Sequence, residues 1–237
     1  MELGFIKDMF NTIAPRYDFL NRLLSLRQDV YWRRKMSRAL VLPAGGGVVL
    51  DAACGTGDVM IDLLRTRMPE RVVGVDFAPA MLKIARRKLS ALAQQDKTAL
   101  VAGNTLKLPF AGENFDAITI AFGIRNIMDR EGALNGFHKH LKPGGMLAVL
   151  ELATPRHPLL RRFYLSYFEK LLPAIGGLFS NNPRAYRYLP ASVVRFPSPP
   201  RFARLMRNAG FEDIRWQSLT LGLATLHTGI KQISEPL

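Results

Sequence analysis

The sequence predicts an α/β fold with a mostly parallel sheet and helices on both faces. Three observations predict this class. Short apolar runs of strand type alternate with helical segments at close spacing, which is typical of βαβ units. Two of the early runs end in an acidic residue, and the first is followed at once by a glycine-rich turn. The chain has 237 residues, 48% of them hydrophobic, which suits one large core better than two.

Each element follows from the hydrophobic pattern. Residues 5–42 have apolar side chains at helical spacing, interrupted at Pro15 and Asn21, and segment 43–47 is a flexible joint. The last two apolar runs flank Gly222 and are expected to pair antiparallel at the sheet edge. The predicted strands are 48–50, 72–75, 99–102, 115–122, 146–152, 211–216 and 224–230, and the predicted helices after the joint are 57–67, 79–92 and one that includes 135–141.

The turn after the first strand predicts a site for a cationic nucleoside. Gly55 and Gly57 let the backbone approach a ligand closely. Asp51 and Asp58 flank the turn, where they would repel a pyrophosphate but suit an ammonium and a sulfonium. Asp76 ends the second strand, 19 residues after Gly57. This is close to the spacing of about 20 residues expected between a glycine turn and a ribose-binding carboxylate. S-adenosylmethionine fits this pattern, NAD fits it poorly, and the alternative is a plain turn with capping acids.

Two later segments are expected at the same edge of the sheet. Asn104 follows the third strand and suits an adenine edge, although it could equally initiate a turn. The strand at 118–122 delivers the loop 123–126 to the crevice where ligands bind in doubly wound folds. Cys54 is expected to be a packed thiol, and a single cysteine excludes disulfides and multi-cysteine zinc sites, so we expect no metal.

Specific motifs across nearly the whole chain resemble the ubiquinone/menaquinone-biosynthesis C-methyltransferases. The most specific of them are the RYD, FGIRN and YRYL segments. The matching stretches are 9–21, 32–33, 51–58, 108–110, 122–126, 141–145, 186–189, 219–222 and 226–229. The resemblance implies a class I methyltransferase with a Rossmann-like fold that methylates a ring carbon of a prenylated quinol, either demethylmenaquinol or a 2-methoxy-6-polyprenyl-1,4-benzoquinol.

The resemblance also implies which residues bind S-adenosylmethionine. Carried over by motif, the contacts are Thr56, Asp76, the Asn104-Thr105 pair and the position of Ala121. The family often has serine where Ala121 stands, so a hydroxyl contact is lost there. Together with Asp51, Gly55 and Gly57 of the turn, these residues form the predicted cofactor site.

Catalysis requires an electron-rich ring carbon, because the sulfonium methyl is already electrophilic. A phenol has a pKa of about 10, so a base or a cation must favour its ionised form. We hypothesise that Arg125 stabilises the oxyanion and that Asn126 orients it or a water; the alternative makes Arg125 a structural ion-pair partner. Tyr17 and Asp18 are expected to close over the cofactor as a lid or to pack their helix onto the sheet, and Tyr188 is expected near the substrate.

The basic charge is concentrated in one insert. The chain carries a net charge of +14, and residues 154–207 hold ten basic residues and one acidic residue. Segments 161–164 and 201–204 mix cations with aromatics, as an interfacial surface would. We therefore expect a cytoplasmic protein in peripheral contact with an anionic membrane surface, where a prenylated substrate lies; a solubilising basic face is the alternative.

We predict a single domain with four parts: an N-terminal helical lid at 1–47, a cofactor-binding core at 48–153, the basic and aromatic substrate insert at 154–207, and sheet-closing strands at 208–237. The rival functions are an RNA or another small-molecule methyltransferase and a cofactor-free binding module. Methylation of a pyrimidine carbon commonly uses cysteine nucleophiles, and the single cysteine, Cys54, lies in the cofactor turn. Methylation of an exocyclic amine would be expected to show an Asn/Asp-Pro-Pro-aromatic turn after the fourth strand, and this sequence has none there. We therefore expect no nucleic-acid partner. The oligomeric state, monomer or homo-oligomer, is left open.

Overall fold

The structure is a computed structural model that describes residues 3–155, 157–166 and 183–233, and these form seven strands and eight α-helices. The strands are β1 (Val48–Ala52), β2 (Arg71–Asp76), β3 (Thr98–Ala102), β4 (Phe115–Ala121), β5 (Leu141–Leu152), β6 (Phe211–Leu219) and β7 (Ala224–Lys231). The helices are α1 (Leu3–Leu24), α2 (Gln28–Ala39), α3 (Asp58–Thr66), α4 (Pro79–Ser90), α5 (Arg130–His140), α6 (Pro158–Ser166), α7 (Pro183–Arg195) and α8 (Pro199–Asn208).

All seven strands belong to one sheet in the order β3-β2-β1-β4-β5-β7-β6. The first five strands pair in parallel, and β7 pairs antiparallel with both β5 and β6. Because the strand order reverses between β1 and β4, the crevice above their carboxyl ends is the position where open α/β sheets bind ligands. The predicted class, strand count and antiparallel end pair are confirmed.

Two hydrophobic cores cover the two faces of the sheet. On one face, Met36 of α2, Leu63 of α3 and Leu89 of α4 pack against the strands. On the other face, Phe137 of α5 and Phe202 of α8 do the same. The central strands β1 and β2 are buried on both sides and are mostly apolar, as parallel strands usually are, apart from Asp51 and Asp76 near their carboxyl ends and the exposed Arg71.

The first helix packs outside these two cores. Met9 and Leu20 of α1 form one small cluster with Val193 of α7, and Ala14 forms another with Ala78 and Met81 at the start of α4. Contrary to the sequence expectation, Pro15 does not interrupt α1, which runs through it. The break comes instead in the turn at 25–27, after which α2 begins.

The insert contributes three of the helices. Residue 156 and residues 167–182, including Lys170 and Glu169 of the predicted basic insert, lie outside the described residues. Phe202 is fully buried, because α8 turns its apolar face to the sheet. The prediction that segment 201–204 is an interfacial surface is therefore wrong, and it exposes only its two arginines. Within the described part of the chain, no helix is long and apolar enough to cross a membrane.

Candidate active site

The turn after β1 is shaped by backbone that a side chain would disturb. Gly57 has a φ of 79°, a left-handed conformation that glycine adopts without strain. A Cβ at this position would stand 3.2 Å from the Cβ of Ala85, so Gly57 also lets α3 approach α4 closely. The amide of Cys54 is fixed to the carbonyl of Val75 at 3.0 Å, which ties the turn to β2.

Asp76 closes this arrangement from the end of β2. One of its carboxylate oxygens accepts from the Gly55 amide at 2.8 Å, and the other accepts from the Ala78 amide at 2.8 Å. Burial raises the pKa of Asp76 despite these two donors and a third at Phe77. A carboxylate can accept about four hydrogen bonds, so the three amide donors leave about one acceptor site of Asp76 for a ligand.

A first cavity of about 260 Å³ lies beside Asp76. Five of the predicted cofactor residues line it, namely Gly55, Asp76, Asn104, Thr105 and Ala121. The Leu106 amide donates to Asn104 Oδ1 at 3.0 Å, so the turn expected as the alternative for Asn104 is present. The wall is completed by Ile6, Phe10, Tyr17, Ala53, Phe77, Met81, Leu106, Phe122, Gly123, Asn126, Ile127 and Met128.

A second cavity of about 40 Å³ continues over the glycine turn and reaches Asp51, Thr56 and Asp58. Asp51 is 1% exposed, and its Oδ1 accepts from the Thr119 hydroxyl at 2.8 Å. Its Oδ2 has no hydrogen-bond partner among the described residues. Burial raises the pKa of Asp51 to about 7, against the lowering effect of Thr119. A buried carboxylate oxygen without a partner at a cavity wall is suited to a cationic ligand.

Asp58 does not play the part expected from the sequence. It forms ion pairs with Arg22 at 3.1 Å, Arg33 at 3.1 Å and Lys88. Burial alone would raise the pKa of Asp58, but these three cations lower it below its usual value. The charge of Asp58 is thus compensated within the protein. The prediction that Asp51 and Asp58 both face a cationic ligand is therefore wrong for Asp58.

Asp18 links helix α1 to Thr56, which lines the second cavity, and to Lys88 of α4. The Thr56 hydroxyl donates to Asp18 Oδ1 at 2.5 Å, and Lys88 Nζ donates to Asp18 Oδ2 at 2.9 Å. The neighbouring Tyr17 lines the first and second cavities, and burial raises the pKa of its phenol. Helix α1 packs on the start of α4 and not directly on the sheet, and its Tyr17 lines the crevice. The lid function of Tyr17 and Asp18 stays a prediction.

The largest space, which we call the apolar cavity, has a volume of about 680 Å³ and adjoins the other two. Tyr17 and Phe122 line all three cavities and mark where they meet. Most of its other lining residues are apolar or aromatic. Its wall comprises Asn21, Leu23, Leu24, Ser25, Leu26, Gln28, Asp29, Trp32, Arg33, Arg125, Leu152, Tyr164, Leu189, Thr220 and Leu223.

Arg125 lies in the wall of the apolar cavity, where Glu151 of β5 fixes it. Its Nη1 is 2.8 Å from Glu151 Oε1, and its backbone amide donates to Glu151 Oε2 at 3.1 Å. Burial opposes the charge of Arg125, but Glu151, Tyr17 and Tyr188 together outweigh this effect and raise the pKa of the guanidinium. The Arg125 Nε has no partner among the described residues. Glu151 was not predicted as a site residue, although a carboxylate inside an apolar strand is a signal for a buried cation.

The loop after β4 serves two cavities at once. Arg125 lines the apolar cavity, whereas Asn126 lines the first. The Tyr188 hydroxyl of α7 donates to Asn126 Oδ1 at 2.9 Å, which brings these two predicted residues together. Cys54 is buried with a pKa well above its usual value, mainly because of burial, as expected for a packed thiol.

The sheet order and the ligand crevice define the class of protein: a Rossmann-like class I methyltransferase fold. The structure superposes on a Thermotoga maritima SAM-dependent methyltransferase, a possible histamine N-methyltransferase, with a TM-score of 0.63 at 21% identity, covering 94% of this chain and 100% of that one. It superposes on a putative methyltransferase solved with the Haloferax volcanii Trm112 activator with a TM-score of 0.69 at 16% identity, covering 94% and 97%. Such identities show the fold alone.

The chain belongs to the ubiE/COQ5 methyltransferase family, which it matches over residues 2–231. It is 47% identical to the demethylmenaquinone methyltransferase of Thermus thermophilus over 222 residues, 93% of this chain and 99% of that one. It is 44% identical to the ubiquinone/menaquinone biosynthesis C-methyltransferase UbiE of Geotalea daltonii over 227 residues, 95% and 96% of the two chains. The family resemblance found in the sequence is confirmed.

Proposed function

We propose that this protein transfers a methyl group from S-adenosylmethionine to a ring carbon of a prenylated quinol, of the demethylmenaquinol or polyprenyl-benzoquinol type. The observation that carries the proposal is that two smaller cavities, which contain most of the predicted cofactor residues, meet a large apolar cavity at Tyr17 and Phe122. The family membership and the names of relatives such as the Thermus thermophilus enzyme support it.

The two smaller cavities fit the methyl donor. Asp76 offers its remaining acceptor site to a ribose hydroxyl, and Asn104 retains its amide NH₂ for the adenine edge beside Thr105. The partnerless Oδ2 of Asp51 suits the positive charge of the methionine end. When bound, the donor supplies an electrophilic methyl group on a sulfonium. The residues of this chain bind and orient it there.

The apolar cavity fits the acceptor. Its volume of about 680 Å³ lies within the range of about 300–1,000 Å³ typical of small-molecule sites. Leu152, Leu189 and Leu223 offer apolar surface for the ring and the first part of a prenyl tail. An apolar wall also keeps water from the transferring methyl group.

Arg125 favours ionisation of the acceptor. A phenol loses its proton at a pKa of about 10, and a nearby guanidinium lowers this value by stabilising the phenolate. Glu151 holds the guanidinium in the cavity wall, so the cation does not need to reorient during the reaction. Asn126, fixed by Tyr188, is placed to orient the oxygen or a water from the neighbouring cavity.

The test incubates the purified protein with methyl-labelled S-adenosylmethionine and short-tailed demethylmenaquinol or its benzoquinol counterpart, beside the oxidised quinones and RNA. Label should enter the reduced rings alone, because only they carry an electron-rich carbon. Label on RNA, or equal label on oxidised rings, would refute the proposal.

A matched pair of variants on α7 tests the cavity. Leu189→Trp fills the apolar cavity and should raise the KM for the quinol by about tenfold or more, since buried packing faults of this size cost over 1 kcal/mol. Val194→Trp, on the same helix at a position 55% exposed, should behave as wild type. Calorimetry should give the same S-adenosylmethionine affinity for both variants.

A further inference from the structure

Two turns border the mouth of the apolar cavity, and each carries an exposed leucine. Leu26, between α1 and α2, is 82% exposed and also lines the cavity. Leu221, between β6 and β7, is 74% exposed. Thr220 ties the second turn to the start of α2, directly after the first turn, because its hydroxyl accepts from Trp32 Nε1 at 2.8 Å and donates to Gln28 Oε1 at 2.9 Å. The two leucines therefore belong to one hydrogen-bonded rim.

The folded chain gains little from a leucine at either position. Leu26 and Leu221 have φ values of 50° and 58°, in the left-handed region, which is unfavourable for a residue with a Cβ relative to glycine. Neither side chain offsets this cost through burial. An apolar environment outside the protein would offset it.

Exposure and strain alone do not identify a surface. Met68 also combines 67% exposure with a φ of 47°, but its carbonyl lies beside Gly46, at the amino end of β1 and so at the opposite edge of the sheet. What distinguishes the leucine rim is its position at the entrance to a large apolar space. Met68 is for that reason a matched control.

The charges around the rim indicate the partner. Arg27 follows Leu26, is exposed, and has no ion-pair partner among the described residues. Helix α6 borders the same cavity through Tyr164 and exposes Arg161, Arg162 and Phe163, the last by 73%. Exposed cations beside exposed apolar side chains match the boundary between anionic headgroups and acyl chains.

We infer that Leu26 and Leu221 insert into the surface of an anionic phospholipid bilayer and hold the mouth of the apolar cavity against the acyl chains. The inference rests on the proposed function, since a prenylated acceptor dissolved in the bilayer could then enter the cavity without crossing water. It adds to the expected membrane contact the residues that make it and the orientation of the protein on the bilayer.

Vesicle co-sedimentation of the full chain tests the contact, with vesicles of phosphatidylcholine and phosphatidylglycerol. The double variant Leu26→Ser/Leu221→Ser should bind these vesicles about tenfold or more weakly than wild type, because two apolar side chains no longer leave water. Val41→Ser/Met68→Ser removes two side chains of similar exposure, 69% and 67%, and should bind as wild type does. Arg27→Gln should weaken binding only when phosphatidylglycerol is present.

Two results would overturn the inference. One is equal vesicle binding by wild type and the leucine double variant, with unchanged circular dichroism and unchanged S-adenosylmethionine affinity as evidence of folding. The other is a wild-type dimer that the double variant dissociates while its vesicle binding persists, which would assign the rim to a second copy of this chain.

Activity on two acceptors separates this inference from the proposed function. Leu221 does not line the cavity, so Leu221→Ser should methylate a short-tailed, water-soluble quinol at the wild-type rate. On a long-tailed quinol embedded in vesicles the same variant should be several-fold slower. If wild type fails to methylate the soluble quinol, the proposed function is wrong. If Leu221→Ser matches wild type on both acceptors, the inference that the leucine rim inserts into the bilayer is wrong.

Discussion

The guanidinium of Arg125 and the carboxylate of Glu151 form an ion pair of 2.8 Å in which the two side chains are 8% and 0% exposed. Glu151 also accepts from the backbone amides of Arg125 and Leu152, the latter at 2.8 Å. These bonds satisfy the carboxylate, so Glu151 fixes the position of the Arg125 guanidinium.

Replacing one partner of this pair should unfold the protein more readily. Arg125→Met leaves Glu151 buried without a counter-charge, which should cost about 3–5 kcal/mol of unfolding free energy. The double variant Arg125→Met/Glu151→Gln should recover most of that loss. Urea unfolding of the wild type and the variants measures both effects.

The same double variant tests the catalytic hypothesis for Arg125 in a folded protein. It should bind S-adenosylmethionine normally in calorimetry but lose quinol turnover by about 100-fold or more, since a charge that stabilises the developing phenolate is gone. Turnover near the wild-type rate would leave Arg125 a purely structural role.

Asp51 should make donor binding depend on pH. Its pKa of about 7 means that the carboxylate ionises on passing upward through neutrality. Affinity for the cationic S-adenosylmethionine should therefore rise by up to about tenfold per pH unit below 7 and level off above it. Affinity for the uncharged sulfide of S-adenosylhomocysteine should change less. Calorimetry between pH 6 and 8.5, with Asp51→Asn as the variant without this dependence, provides the comparison.

Asp51 should also lower stability in the absence of ligand. Because its pKa is raised on folding, the folded state holds a proton that the unfolded chain has released. Stability from this group is present at acid pH and is lost as pH rises from about 4 to about 7. Asp51→Asn should thus raise the Tm at pH 8 and leave it nearly unchanged at pH 4. An equal Tm for both proteins at pH 8 would contradict the raised pKa.

Asp58 should stabilise the protein in the opposite pH range. Its lowered pKa makes its contribution present above about pH 4 and lost as pH falls through its folded value. Asp58→Asn leaves three cations without their shared anion and should cost about 2 kcal/mol at pH 7, after allowance for its partial exposure. Asp213→Asn breaks a pair whose members are 78% and 67% exposed and should cost almost nothing. Unfolding in urea distinguishes the two.

Asp18 should govern how firmly α1 closes the crevice. Asp18→Ala removes the acceptor of Thr56 and of Lys88 and should accelerate hydrogen exchange in α1 by about fivefold to thirtyfold, the equivalent of 1–2 kcal/mol. Asp8→Ala, an exposed acid on the same helix, is the control. Unchanged exchange would mean that the hydrogen bonds of Asp18 do not hold α1 in place.

The parts of the site that lie close in sequence could be predicted from it. The alternation of strands and helices, the glycine turn and Asp76 at the end of β2 are local patterns, and the structure has them as expected. Asp58 could not be judged in this way, because its three cations come from α1, α2 and α4 and meet only in the fold.

Burial of single side chains was equally hidden. Phe202 stands between basic residues, and nothing local shows that α8 turns it toward the sheet. Leu26 and Leu221 lie almost 200 residues apart, so their common rim depends on the hydrogen bonds of Thr220. Pro15 sits on an exposed side of α1, where its effect on the helix was overestimated.

Helix α1 takes no part in the two main cores, yet its Tyr17 lines all three cavities described above. The sheet and its covering helices can therefore be expected to assemble whether or not this helix has docked. A chain shortened by about its first 24 residues would then keep its fold. It would lack the Tyr17 wall that the donor and acceptor cavities share, and both cavities would open to solvent. In this family member, helix α1 completes the walls of the binding cavities on a fold that many proteins share.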